Sequence, residues 1–259
     1  MRIKKFTRET LIILCGLIAV AGSCKASNPS SAHDQNQFIN IVNPNDFVML
    51  MGQPLPDLPE NRNDILALLD RLTVNIENNA DMALAFNILL NSPKLSDREK
   101  SQWLKARSRD LPTPFLFLRA LFEEDQTASK RIYMIARGYL NMDSKICIDK
   151  SASQAGFHLL QAVGGKIFTQ LGADLNNIAA GEDFMMSLQK DFFDEGGFEK
   201  FDQIYGRKLS EPHWMAQHGM MPLMGGGQTL FEPKSKWQEI KKREFATIYQ
   251  AFKNQLKKR

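Results

Sequence analysis

Apolar residues recur with the period of a helix along most of this chain. Ile65, Leu68, Leu69 and Leu72 fall at i, i+3, i+4 and i+7, and Ile76 extends the stripe. Met82, Leu84, Ala85, Ile88 and Leu89 form a second face, ended by Pro93. Trp103, Leu104 and Ala106 mark a third helix. It opens on Ser96-Asp97-Arg98-Glu99, a capping box in which the Ser96 hydroxyl accepts from the Glu99 N–H and the Glu99 carboxylate reaches back. Thr113-Pro114 supplies an N-cap and a first-turn proline for PFLFLRALFEE. Asp125 can start the next helix, with Ile132, Ile135, Ala136 and Tyr139 on one side. Ser151-Ala152-Ser153-Gln154 reads as a second box, before an apolar helix through Leu159 and Leu160 that Gly164-Gly165 should break or kink. Helical patterns resume over 167–180 and 182–193. No alternating strand pattern occurs between Asp64 and Phe193, and connections are short. The prediction is an all-α body of antiparallel neighbours.

The helix pairs at 112–122/126–141 and 81–91/96–108 are similar to helical hairpins of the Sel1 or tetratricopeptide kind. Those families pack small and aromatic residues between helices, as Trp103, Ala106, Ala120 and Tyr133 would be here. The resemblance implies a short hairpin array. No constant period runs through the chain, so an irregular helical bundle is the other arrangement open to it. An apolar content of 43%, with 17 Phe and 12 Met, can fill one core, and no second boundary interrupts residues 64–259. Residues 194–227 are less regular, with turn signals at Gly196-Gly197, Gly206 and Gly225-Gly226-Gly227.

The amino terminus reads differently. MRIKKFTRE carries Arg2, Lys4, Lys5 and Arg8 against Glu9, and LIILCGLIAV follows as an unbroken apolar run. A basic start, a short apolar core and small residues are the parts of a secretory signal peptide, here residues 1–23. The run is about half of the ~20 residues a bilayer-spanning helix needs. Ala21-Gly22-Ser23-Cys24 resembles the lipobox of bacterial lipoproteins, although Ala21 stands where Leu is commonest. That resemblance implies a diacylated Cys24 thiol, cleavage before it and an acylated new terminus. Lys25 after the anchor then points to the periplasmic side of the outer membrane. Cleavage after Ala26, giving a soluble periplasmic protein, is the alternative.

Residues 24–63 suit a tether. KASNPSSAHDQNQF is polar, and Pro54, Pro56 and Pro59 favour an extended path. Phe38 to Gly52 is apolar enough to dock on the body as a short strand or helix.

Charge changes the picture once the leader is set aside. The whole chain is +4, but residues 1–23 hold four bases and one acid, leaving +1 from Cys24 onward. Nucleic-acid binding is not indicated. Lys234–Arg259 holds nine basic and two acidic residues, so an acidic body carries a basic tail. That tail is the last predicted helix, 235–257, opened by a third box, Ser235-Lys236-Trp237-Gln238. Trp237, Ile240, Phe245, Ile248, Tyr249, Phe252 and Leu256 line one face. Docking on the core is the reading adopted. A membrane or acidic-partner contact through Trp237, Lys241, Lys242, Arg243 and Lys253 is the competing one. Of the three cysteines, Cys15 leaves with the signal and Cys147, between Ile146 and Ile148, reads as a small buried hydrophobe. A Cys24–Cys147 disulfide is open should Cys24 not be acylated.

Candidate chemistry concentrates in EPHWMAQHGMMPLMGGG, residues 211–227. His213 and His218 with Met215, Met220, Met221 and Met224 offer imidazole and thioether ligands suited to Cu(I). The two histidines are five apart, which is not the spacing of one helix face. Packing of Trp214 and the methionines around a turn is the competing explanation. HExxH and GxSxG are missing, and Ser187–Lys190 and Thr127–Lys130 match S/T-x-x-K without its accompanying motifs. Glu182, Asp183, Asp191, Asp194 and Glu195 lack calcium-loop spacing. Asp143 and Asp149 can cap helix ends or pair with Arg131 or Arg137. No catalytic residue and no cofactor is assigned. The expected function is an envelope protein-binding module, either an adaptor or an immunity-type inhibitor of an effector. A periplasmic copper binder, and an enzyme of unrecognised type using His213 or His218 as acid/base, are the alternatives.

Overall fold

The computed structural model describes residues 43–170, 186, 197–224 and 229–257. The signal segment 1–23, Cys24, Ser187–Lys190, the five acidic residues between 182 and 195 and Gly225–Gly227 lie outside them. Most of the helices expected over 167–193 lie outside them as well.

The body is all-α. Its elements are α1 (Phe47–Met51), α2 (Arg62–Leu72), α3 (Asn79–Asn91), α4 (Asp97–Arg107), α5 (Thr113–Phe122), α6 (Gln126–Ile146), α7 (Gln154–Gln170), α8 (Gly197–Tyr205), the single turn α9 (His213–Ala216) and α10 (Trp237–Lys257). Among the described residues the one β pairing is a lone antiparallel bridge between Cys147 and Phe231.

Side-chain chemistry sets most helix starts. Asp46, Asn61, Asn78 and Asp125 each accept from backbone N–H groups of the first turn they precede. Ser96 and Glu99 form the reciprocal box expected of them. Every residue of α5 is buried, Thr113 and Arg119 included, which marks a helix at the centre of a bundle. It packs most extensively on α6. Helices α3, α4 and α7 lie against α5, while α8 and α10 cover α6. Docking of α10 buries Trp237, Ile240, Phe245 and Ile248. Gly138 makes room for it, because a Cβ there would lie 2.7 Å from the Phe245 ring.

The structure departs from the sequence reading at several places. The compact unit starts at Asn43 rather than Asp64. The stretch before Gly52, expected to dock as a strand or a helix, does so as a helix over Phe47–Met51. Fully buried Phe47 meets Phe86 and Trp214 edge-on at 5.6 and 5.9 Å. Helix α4 packs chiefly on α5, so 81–91/96–108 is not an isolated hairpin, whereas α5 and α6 are a packed pair. Gly164-Gly165 neither breaks nor ends α7, which runs on to Gln170. The Ser151 and Ser235 boxes do not form. Asp149 caps a 3-10 turn at Lys150–Ser153, and a 3-10 turn at Lys234–Lys236 leads into α10 with no side-chain cap. Thr113 is not an N-cap either, because its hydroxyl is engaged elsewhere.

Candidate functional site

The segment 207–221 runs over the body and meets it in three polar constellations. The first is buried. Asp143, fully inside α6, accepts from Arg207 (2.5 Å) on Oδ1. Its Oδ2 accepts from the Thr113 hydroxyl (2.6 Å) and the Trp214 indole N–H (3.0 Å). Arg207 also donates from Nε to Thr113 Oγ1 (3.0 Å) and lies over the Tyr139 ring. Burial pushes the Asp143 carboxyl up, and Arg207, Thr113 and Trp214 oppose that rise. Arg131 and Arg137, the partners expected for this aspartate, are displaced by an arginine 64 residues further along the chain. Next to this hub, Lys241 of α10 pairs with Asp202 (2.5 Å) and donates to the Tyr139 hydroxyl (2.9 Å). Burial, reinforced by Asp202, pushes the Tyr139 hydroxyl up.

The second constellation surrounds His213. Its Nε2 lies 3.1 Å from Glu211 Oε2 and 3.9 Å from Glu77 Oε1. Lys234 holds the other Glu211 oxygen at 3.1 Å and keeps that carboxyl below the usual glutamate range. The His213 ring stands edge-on to Phe231 at 5.0 Å, and the Asn79 amide donates to its carbonyl oxygen.

The third surrounds His218. Its Nδ1 lies 2.6 Å from Asp46 Oδ2, while Asp46 Oδ1 accepts from Val48 N–H. The His158 ring of α7 stands edge-on to His218 at 5.4 Å and to Phe157 at 5.7 Å. Close by, Asp149 accepts from the Ser151 hydroxyl and from the Met221 N–H (2.8 Å), and Ser151 Oγ accepts from the Met220 N–H (3.0 Å). Burial raises the Asp149 carboxyl, but these donors outweigh it and hold the group below the usual aspartate range. Gly219 permits the approach, since a Cβ there would overlap the Asp149 carboxylate.

The six residues read as a soft-metal set are therefore divided. His213 and His218 turn to different carboxylates. Met215 is in the core, Met220 and Met224 are exposed and Met221 is half-buried. Of the basic-helix residues, Trp237 is buried with its indole N–H on the Glu232 carbonyl, and Lys241 is committed to Asp202 and Tyr139. Arg243 reaches the neighbouring Glu244 and Lys242 is exposed. The side chain of Lys253 lies outside the described residues. Thr127 and Lys130 sit on the first turn of α6, where the Thr127 N–H bonds the Asp125 cap. Cys147 is fully buried and free, and burial pushes its thiol up.

Glu77, Asp46, His158 and Arg207 were not among the sequence candidates. Each meets its partner across 60 residues or more, and no local spacing encodes such a meeting. Glu211 alone carried a local signal, two residues before His213. The sequence matches no family model, and no curated protein or solved structure is significantly similar to it.

Proposed function

We propose that this chain is an exported, lipid-anchored protein of the cell envelope whose helical body binds another envelope macromolecule, as an adaptor or as an immunity-type inhibitor of an effector. The amino-terminal support is the basic, apolar and small-residue pattern that ends in Ala21-Gly22-Ser23-Cys24. The observation that carries the binding role is a patch around the third constellation. Phe157 and Met220 are 47% and 56% exposed beside the His158–His218 ring pair, and Met49 is exposed one turn from Asp46. Rigid aromatic and thioether groups rimmed by polar side chains are what protein contact surfaces use. The basic face of α10 is a weaker candidate, because Trp237 and Lys241 are spent on internal contacts.

The anchor is tested by the intact mass of the mature protein from a membrane fraction, with wild type beside Cys24→Ala. The expected result is an acylated terminus at Cys24, lost in the variant together with membrane association. A terminus at Ser27 without lipid would replace the anchored protein by a soluble exported one. The binding role is tested by a photocrosslinking residue at position 157 in intact cells. It should give a discrete adduct that a crosslinker at Lys242 does not. No adduct at position 157 would remove the patch as the contact.

A further inference from the structure

We propose that Glu77, Glu211 and His213 form a binding site for a divalent metal ion of the zinc type. This goes beyond the protein-binding reading and does not depend on it. One imidazole nitrogen and one carboxylate oxygen from each glutamate converge, all three within 4.8 Å of one another. Two carboxylates and an imidazole are borderline-to-hard ligands, which suit Zn(II) and its divalent neighbours and do not suit Cu(I). Zinc bonds of ~2.0–2.2 Å in tetrahedral geometry place ligand atoms a little over 3 Å apart. His213 Nε2 and Glu211 Oε2 already stand at 3.1 Å. Glu77 Oε1, at 3.9 Å from the same nitrogen, has to close by under an ångström, and its side chain is 67% exposed and able to do so.

The backbone around the ligands is fixed. The Glu77 N–H bonds Asn75 Oδ1, and the His213 N–H bonds the Glu211 carbonyl. Asn79, at the first position of α3, donates from its amide to the His213 carbonyl and so ties the two ligand-bearing segments together. Asn79 is 3% exposed, and its Oδ1 is a buried acceptor with no donor among the described residues. That oxygen belongs to the same carboxamide whose Nδ2 holds the His213 carbonyl, and a cation-bound water that reached it would complete the pairing of Asn79. Lys234 occupies Glu211 Oε1 and leaves Oε2 for the ion. It also lowers the local negative charge, which favours a moderate affinity. With three protein ligands, the fourth position is left to water or to a donor from outside.

The test is calorimetric titration of Zn²⁺ into the chelator-stripped, detergent-solubilised mature protein, with thermal unfolding measured in parallel. One equivalent should bind, and zinc should raise the Tm. Glu77→Gln, an exposed change that leaves the fold intact, should weaken binding at least tenfold, and His213→Gln should abolish it. Met220→Leu should leave zinc binding unchanged. Absence of saturable binding in the wild type, or equal affinity in wild type and Glu77→Gln, would overturn the site.

Discussion

The Asp143 hub and the His213 cluster are built from the same chemistry and lie on either side of one short segment, yet they answer to different physics. At the hub, Asp143 and Arg207 are sealed from water, and every donor aimed at the carboxylate has a counterpart. At the cluster, Glu77 and Lys234 are mostly in solvent, and His213 has two carboxylates to choose between. A buried network is all-or-none, since removing one member strands the charge of another in a medium that cannot solvate it. A half-exposed one loses little when a member leaves, because water replaces it. The hub therefore holds the segment in place, and the cluster is where exchange with an outside ligand costs little.

That contrast can be broken by mutation. Asp143→Ala should cost about 3–5 kcal/mol, because it leaves Arg207 charged and buried. Urea denaturation measures it, and a loss under 1 kcal/mol would mean that water reaches the hub. Gly138→Ala comes next at about 1–3 kcal/mol, by driving a methyl group into the Phe245 ring. Adding Phe245→Leu should recover part of that loss, and an unchanged midpoint in the single variant would show that α10 is not tightly seated. The smallest effect is a local response to acid at Asp149. Its carboxyl titrates below the ordinary aspartate value in the fold. Its contribution is therefore complete above that value and is lost as pH falls through the lower, folded one. Below about pH 4, amide protection at Met220 and Met221 should decline ahead of the core. Asp149→Asn should remove the pH step, and a decline in step with global unfolding would refute the local clasp.

What could be read in advance divides along the same line. The Ser96–Glu99 box, the Asp125 cap and the apolar stripe that docks α10 are local patterns, and the structure contains all three. Equally local patterns at Ser151 and Ser235 failed, because a nearer cap or a 3-10 turn took the position. Thr113 had the spacing of an N-cap, but a buried carboxylate 30 residues away made the better bond. Period alone could not say that Gly164 and Gly165 would stay within an unbroken helix. His213 stood out from sequence, and the carboxylates nearest it in the fold are those of Glu211 and Glu77. The methionines near it in the chain range from the core to solvent, and Glu77 arrives from the loop between α2 and α3.

The docking of α1 has a mechanical side. Helix α1 is the first helix of the described residues, so a force applied at Asn43 meets it before any other element. The buried side chains of Phe47, Val48 and Met51, the Asp46–His218 pair and the hydrogen bonds that link Asn43 to Gln217 and Asn45 to Asn79 bear the load. Were they to give way, the faces of Phe86 and Trp214 now covered by Phe47 would be laid bare, so a pull at Asn43 would become a change in what the surface offers.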